Sequence, residues 1–487
     1  MTQAIDSKHL LLWKRHGEEH FANVKYGYWV LLVSIAYICV LFVIRRFRKI
    51  NNNIHKSDLF WSQLYSVNPF LHLSLILVPS FLLFYYPHGN LSLYSKRLGR
   101  LSYVLVSLNL FLGLKPSLLQ GYTYNDFVPL HKWLSRAIII IAMIHALGFL
   151  VKWSMDEQVS FVAKISNIWN LLGVIVLLSA FLLIFISIKP IRTRYYALFY
   201  IVHNIVDFLL VTVIPLHARP GVTMPYFLLN LVLISCHIIL RIKNTKQFKI
   251  SSRIDGISQS SNLTVIKLPR NLLPSNFPPG THIRVSPYTK YHPLYWLVPS
   301  HPYSIASLSE GDEIILILNE STFKFEDTET YLLQDYFPAN LPLESLSNCE
   351  KTLIVCGGSG ISFGMPVFNF LQKMNSKQIV RLIWITKRFE DFKFLSSLVN
   401  LELGKDMEVY VTENIKDGLV SHAEDFEMDL LVNNRRINWE TDLLEFTGED
   451  INEKSWMICC GPEGLISDAQ KFASKRNINV YKEFYNL

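Results

Sequence analysis

The stretch His131–His145 reads HKWLSRAIIIIAMIH, and His203–His217 reads HNIVDFLLVTVIPLH. Each has a histidine at both ends, 14 residues apart, within an otherwise largely apolar run. At ~1.5 Å rise and ~100° per residue, 14 steps climb about 21 Å and return to within about 40° of the starting face. Each helix therefore shows two imidazoles on one side, near opposite edges of a hydrocarbon core ~30 Å thick. Two such helices side by side could hold two haems at different depths, each iron gripped by one histidine from each helix. A metal-transport pathway is a second reading of the same four side chains. Polar groups inside a membrane are costly and usually mark function. Single histidines such as His72 and His237 are more often packed residues, and no role is assigned to them.

Half of the 487 residues are hydrophobic and only 18% are charged. Mean hydropathy is positive, which is too apolar for an ordinary soluble protein of this length. Long Leu/Ile/Val/Phe runs concentrate in residues 1–241, and seven spans are expected at 28–44, 68–86, 101–119, 130–151, 168–188, 196–218 and 223–241. The basic runs Arg45-Arg46-Phe47-Arg48-Lys49, Lys189-Pro190-Ile191-Arg192-Thr193-Arg194 and Arg241-Ile242-Lys243 share one side if the N-terminus is outside. That side is then cytosolic. The fourth and sixth spans run in the same direction in this topology, so His131 is level with His203 and His145 with His217. Lys96, Arg97 and Arg100 fall on the far side, against the charge rule. The net charge of +8 is read as membrane anchoring rather than nucleic-acid binding. The six cysteines show no disulfide or zinc spacing, and no cleavable signal peptide is expected.

After Arg241 the pattern changes. Residues 248–345 alternate polar and apolar in short runs broken by Pro and Gly, the mark of a small antiparallel barrel. From about 350, strands (Lys351–Cys356, Val380–Thr386, Glu408–Val411, Ser455–Cys460) alternate with helices (Met365–Met374, Leu465–Lys475), which indicates a parallel α/β sheet. The expected organisation is an N-terminal tail at 1–27, a membrane domain at 28–245, a barrel at 246–345 and an α/β domain at 346–487.

Three motifs in the second half carry chemistry. His301-Pro302-Tyr303-Ser304-Ile305-Ala306-Ser307 offers an aromatic face with hydroxyl donors, as a flavin site requires; Tyr303, Ser304 and Ser307 are the candidates. Gly357-Gly358-Ser359-Gly360 follows a strand and opens a helix, so its backbone can approach a pyrophosphate at a helix N-terminus. Lys387-Arg388, past the next strand, could pair with the 2′-phosphate of NADPH, or form a solvated loop pair. Cys460-Gly461-Pro462 puts a thiol at the carboxyl edge of the sheet, suited to a nicotinamide; buried structural cysteine is the alternative. An aromatic near the terminus, Phe484, could cover the flavin face. Arg136, Arg192 and Arg194 could meet haem propionates near the cytosolic face, or serve only as anchors. No catalytic acid, base or nucleophile is assigned.

In this order the motifs resemble the ferric reductase and NADPH oxidase superfamily from about residue 68 to the end. The approach Gly121-Tyr122-Thr123-Tyr124 through His131-Lys132-Trp133-Leu134-Ser135-Arg136 resembles fungal ferric reductases. His301-Pro302-Tyr303-Ser304 is similar to the family's His-Pro-Phe-Thr flavin motif, Gly357–Ile361 to its NADPH glycine loop, and Cys460-Gly461-Pro462 to its Cys-Gly-Pro. The extra first span resembles a compact yeast branch of probable metalloreductases, also linked to superoxide production at the endoplasmic reticulum. The resemblance implies a multi-pass haem-binding helical domain followed by a ferredoxin-reductase-like module with an FAD barrel and an NADPH-binding α/β domain. It also implies flow from NADPH to FAD, then singly to the inner haem (His131, His203) and the outer haem (His145, His217).

The resemblance has departures. Glu320–Phe325 replaces the family's Gly-Pro-Tyr-Gly-like turn for the FAD diphosphate. Phe149 stands where the oxidases carry a second histidine, four residues after the outer ligand, whereas Arg100 matches an arginine near their oxygen site. The acceptor implied is a ferric or cupric ion, with dioxygen as the alternative. The membrane is the endoplasmic reticulum or the plasma membrane, with the nucleotide domain in the cytosol. A non-enzymatic transporter or channel would explain the spans but not the flavin and glycine motifs.

Overall fold

The computed structural model describes residues 23–46, 64, 67–85, 90–119, 122–218, 220–256, 261–319, 323–374, 377–398, 407–413, 432–433, 435–443 and 455–484. The chain divides into two compact units. One comprises residues up to Lys243 together with Tyr291–Pro299, and the other comprises Asn244–Lys290 and Ser300–Leu487.

The first unit is helical. Its main helices are α1 (Asn23–Arg46), α2 (Pro69–Phe81), α3 (Leu91–Leu112), α4 (Tyr124–Ser154), α5 (Ile168–Ser187), α6 (Tyr196–His217) and α7 (Pro220–Asn244). Five helices among the described residues are long and apolar enough to cross a membrane: α1, α4, α5, α6 and the Pro225–Asn244 part of α7. The second expected span is a helix of only 13 residues, and the third begins ten residues earlier than expected because Leu91–Arg100 continues the same helix. Caps set the starts. Asn68 accepts from the backbone N–H groups of Phe70 and Leu71, with Pro69 at the first helical position. Asp126 Oδ2 accepts from the backbone N–H of Thr123 at 2.7 Å, which fixes the entry into the helix carrying His131 and His145.

Of the α3 charges that break the positive-inside pattern, Lys96 is exposed, whereas Arg97 and Arg100 are buried in the protein. Arg97 is 3% exposed and donates to Asn23 Oδ1 and to the carbonyls of Leu83 and Phe84 just beyond α2. Arg100 is 8% exposed. Arg97 thus ties α3 to α1 and to the end of α2. His72, fully buried, donates through Nε2 to the Leu64 carbonyl (3.0 Å) and shares a hydrogen bond through Nδ1 with the Tyr37 hydroxyl of α1 (2.7 Å), a structural link.

The second unit begins with an antiparallel barrel module. Its strands are β1 (Lys246–Lys249), β2 (Ser252–Asp255), β3 (Leu263–Pro269), β4 (His282–Pro287), β5 (His301–Ser304), β6 (Glu313–Asn319) and β7 (Thr330–Phe337). They form sheets ordered β1-β7-β4-β5 and β2-β3-β6, bridged at Ile305–Leu316. Alternate positions Ile266, Leu268, Ile283, Val285, Ile314 and Leu316 fill the space between the sheets.

The α/β module holds β8 (Lys351–Gly357), α8 (Ile361–Met374), β9 (Ile379–Thr386), α9 (Phe389–Leu398), β10 (Met407–Val411), β11 (Val432–Asn433), β12 (Ser455–Gly461), α10 (Glu463–Lys475) and β13 (Asn479–Phe484). Its parallel sheet runs β11-β10-β9-β8-β12-β13, with carboxyl ends on one edge. Asp391 in α9 accepts from Ser261 Oγ, Asn262 N and Thr386 Oγ1, tying a barrel loop to the α/β sheet.

Candidate functional site

Two pairs of imidazoles face each other between α4 and α6. The ring centres of His131 and His203 are 6.3 Å apart, and those of His145 and His217 are 6.2 Å apart. An imidazole nitrogen sits about 2.0–2.1 Å from a bound metal and roughly 1.1 Å from its own ring centre. Two opposed imidazoles sharing one iron therefore have ring centres about 6.2–6.4 Å apart. Both pairs meet that spacing requirement.

The two pairs are supported differently. His145 Nδ1 lies 2.6 Å from the Ser95 carbonyl, and His217 Nδ1 lies 2.7 Å from the Trp169 carbonyl. Four residues after each carbonyl comes a glycine. A β-carbon on Gly99 would fall 2.7 Å from His145 Nδ1, and one on Gly173 would fall 2.6 Å from His217 Nδ1. Each outer ring thus sits in a notch that only glycine leaves open, and its Nδ1–H donates to a helix carbonyl. That arrangement fixes the tautomer and frees Nε2 as a ligand. At the inner pair, His131 Nδ1 and His203 Nδ1 are buried with no hydrogen-bond partner among the described residues. His203 Nε2 lies instead 3.3 Å from Asp207 Oδ2.

A cavity of about 200 Å³ opens beside the inner pair, with Lys115, Tyr200, Asp207, His237, Arg241 and Trp296 in its wall. Lys115 and Arg241 are the basic groups here. The structure does not bring Arg136, Arg192 or Arg194 to this wall: Arg136 stacks on Trp133 and Arg194 on Tyr195. Tyr200 donates to the Trp296 carbonyl and Arg241 to that of Val298, which holds the segment 291–299 against the helices. Sequence reading missed Asp207, although it is the sole acidic residue of α6 and lies one turn after His203. The two glycine notches left no signal, because their partners are 46 and 44 residues away in sequence.

In the barrel, β5 pairs with β4 so that Ser304 stands opposite His282 and Tyr303 opposite Ile283. Tyr303 packs edge-on against Phe325 at 5.6 Å and shares the barrel side with Ile305; Pro302 and Ser304 take the other face. Burial pushes the Tyr303 phenol above its ordinary range, and burial with the neighbouring Arg284 guanidinium holds His301 below its own. Arg284 is buried and binds Ser300 through Nε and Nη2, which fixes the entry to β5. The Ser307 hydroxyl accepts from Ile315 N, a contact within the barrel. Residues 320–322 of the stretch Glu320–Phe325 lie outside the described residues.

At the carboxyl edge of the parallel sheet, two glycine turns meet. Gly358 takes φ +56° and starts the turn Gly358–Gly360, which leads into α8. Trp384 Nε1 of β9 donates to the Gly358 carbonyl at 2.9 Å, which ties the loop to the neighbouring strand. A β-carbon on Gly357 would fall 2.9 Å from Pro462 Cδ, and one on Gly461 (φ +154°) 3.1 Å from Gly357 N. The backbones of the Gly357–Gly360 and Cys460–Pro462 turns are therefore in contact, with Ser359 at the tip of the first. Cys460 is fully buried in register with Cys356, so its thiol belongs to the core side of β12. Burial pushes the neighbouring Cys459 thiol up to about 12. Phe484 pairs with Gly461 in the last strand; its side chain lies outside the described residues. Lys387 and Arg388 sit just past β9, and both approach Glu413.

Three family models match in series: the ferric reductase like transmembrane component at residues 98–214, the FAD-binding domain at 244–351, and the ferric reductase NAD binding domain at 349–474. The "Probable metalloreductase AIM14" of Zygosaccharomyces rouxii is 37% identical over 98% of this chain and 99% of its own length. Those of Kluyveromyces lactis (36%, 98% and 99%) and Saccharomyces cerevisiae (34%, 99% and 100%) are similar along their whole lengths. The chain belongs to the ferric reductase family, in this yeast metalloreductase branch. As a ferric reductase family member it is an integral membrane oxidoreductase with FAD- and NAD-binding domains. A solved structure similar to it is phthalate dioxygenase reductase, at 15% identity and TM-score 0.37 over 50% of this chain and 69% of that one.

Proposed function

We propose that the chain is a transmembrane flavocytochrome b that oxidises cytosolic NADPH and reduces ferric or cupric ion across the membrane. The observation that carries this reading is the pair of ring separations, 6.3 Å and 6.2 Å, at two levels of the same two helices. Bound FAD supplies the conversion from two-electron to one-electron chemistry, and haem iron supplies one-electron carriers.

The chain's own residues supply the rest. His131 with His203, and His145 with His217, would hold the two irons, the outer pair oriented by the Ser95 and Trp169 carbonyls. Lys115 and Arg241 would meet carboxylates at the inner cavity. His301, Pro302, Tyr303 and Ser304 would form the flavin strand, and the Gly357–Gly360 loop at the start of α8 would take the pyrophosphate. Lys387 and Arg388 would receive the 2′-phosphate, and the turn Cys460–Pro462 would border the nicotinamide. Phe484 would cover the flavin.

The metal ion is favoured as acceptor because the ring beside the outer ligand His145 is that of Phe149, 5.2 Å away. The relatives' printed name, metalloreductase, supports the same choice. Reduction of dioxygen to superoxide is the second reading. It is favoured by the buried Arg100, whose Nη1 has no hydrogen-bond partner among the described residues. The test begins with a reduced-minus-oxidised absorption spectrum of the purified protein, in which b-type haem bands are expected; their absence ends the proposal. Fe(II) and superoxide measured side by side in membranes given NADPH then decide the acceptor.

A further inference from the structure

Strands β9 and β10 are parallel neighbours whose named pairing ends at Val411 opposite Thr386. The hydrogen bonding continues beyond it: Thr412 N donates to the Thr386 carbonyl at 3.0 Å, and Glu413 N to the Lys387 carbonyl at 2.9 Å. Backbone pairing therefore sets Glu413 beside the basic dipeptide, whatever its side chain does. The carboxylate then spans both cations, with Oε1 3.8 Å from Lys387 Nζ and Oε2 3.1 Å from Arg388 Nε. It remains 44% exposed at the edge where the strands end.

We propose that Glu413 sets nucleotide selectivity, opposing a 2′-phosphate and accepting a ribose 2′-hydroxyl, so that this chain takes both NADPH and NADH. The proposal rests on the reading of Lys387 and Arg388 as the adenosine-end site. In an open α/β sheet the dinucleotide lies outside the carboxyl ends of the strands, with an acidic residue on the ribose hydroxyls for NAD or a cation on the 2′-phosphate for NADP. Both chemistries occur here in one cluster. A 2′-phosphate carries nearly two negative charges and is repelled by Glu413 unless the carboxylate swings away from its two partners. A 2′-hydroxyl has a proton to donate and meets a ready acceptor. Two cations and one carboxylate leave a single net positive charge, enough to admit the phosphate but not to demand it.

The test uses the purified, flavin-loaded full chain and two probes, 2′-phospho-AMP and AMP, with dissociation constants measured by calorimetry. Removing one nearby negative charge at a partly exposed site is expected to tighten 2′-phospho-AMP by about fivefold in Glu413→Gln, with AMP unchanged or weakened. The KM ratio of NADPH to NADH is expected to fall in the same variant. Equal shifts for both probes would show a merely structural effect and overturn the proposal. Lys387→Gln and Arg388→Gln separate the two readings. If they weaken 2′-phospho-AMP while Glu413→Gln changes nothing, the adenosine-end site stands and the role of Glu413 falls. If they leave 2′-phospho-AMP unaltered, the phosphate site itself is wrong and both fall.

Discussion

A β-carbon on Gly99 would lie 2.7 Å from the Nδ1 of His145, inside the distance that real side chains keep. The helix carrying Gly99 and the helix carrying His145 are thus in register to within an atom. Gly99→Ala must push the ring off the Ser95 carbonyl. On the proposed two-haem reading, the expected outcome is a fall in haem-to-protein ratio from two toward one, with flavin content unchanged. Gly173→Ala should do the same through His217, because its β-carbon would fall 2.6 Å from that ring's Nδ1.

Asp391 receives three donors, Ser261 Oγ at 2.7 Å, Asn262 N at 3.1 Å and Thr386 Oγ1 at 2.8 Å. Asp391→Ala leaves them without their acceptor inside a buried joint. A loss of about 1–3 kcal/mol is expected. Flavin release on heating should occur at a lower temperature than in the parent chain.

His301 is held below its ordinary range by burial and, secondarily, by the Arg284 guanidinium. A lowered folded value means that the unfolded chain takes the proton first as pH falls. The contribution is complete above about pH 6.5 and is lost progressively below it, toward the lowered folded value. Between pH 7.5 and 5.5 the thermal midpoint of the parent should therefore fall further than that of His301→Asn. An equal or larger fall in the variant would contradict the assignment.

Cys356, Cys459 and Cys460 are fully buried, and burial holds the Cys459 thiol at about 12. Thiolate is the reactive form, so these three should resist alkylation at pH 8 in the native protein. Mass spectrometry of the labelled peptides checks this, with labelling of all three expected only after denaturation.

The helical half and the sheet half were legible because periodicity reports burial directly. The run His131–His145 is largely apolar, unbroken from Ala137 to Ile144, and Lys351–Cys356 is a mostly apolar strand bounded by a glycine turn. Helix α3 was harder to read: Lys96, Arg97 and Arg100 look like a solvent face, yet Arg97 finds its partners on Asn23, Leu83 and Phe84. Helix α8 begins at Ile361, four residues before its expected start, because the glycine turn feeds straight into it. Strand β13 and helix α9 were not foreseen. Their short patterns gain meaning only from their neighbours: β13 pairs beside β12 at the sheet edge, and α9 packs against β9. Within the site, spacing along one chain gave the levels of the four imidazoles. The groups that orient them (Ser95, Gly99, Trp169, Gly173) come from helices distant in sequence and leave no local trace.

The segment Tyr291–Pro299 lies between β4 and β5 in sequence but packs with the helical unit, through the Trp296 and Val298 carbonyls. Modularity is therefore incomplete. A chimaera spliced at residue 244 would carry away a piece of the bundle's own wall, Trp296 included. A functional graft of the reductase half onto another membrane scaffold must bring that turn's receptors, Tyr200 and Arg241, along with it.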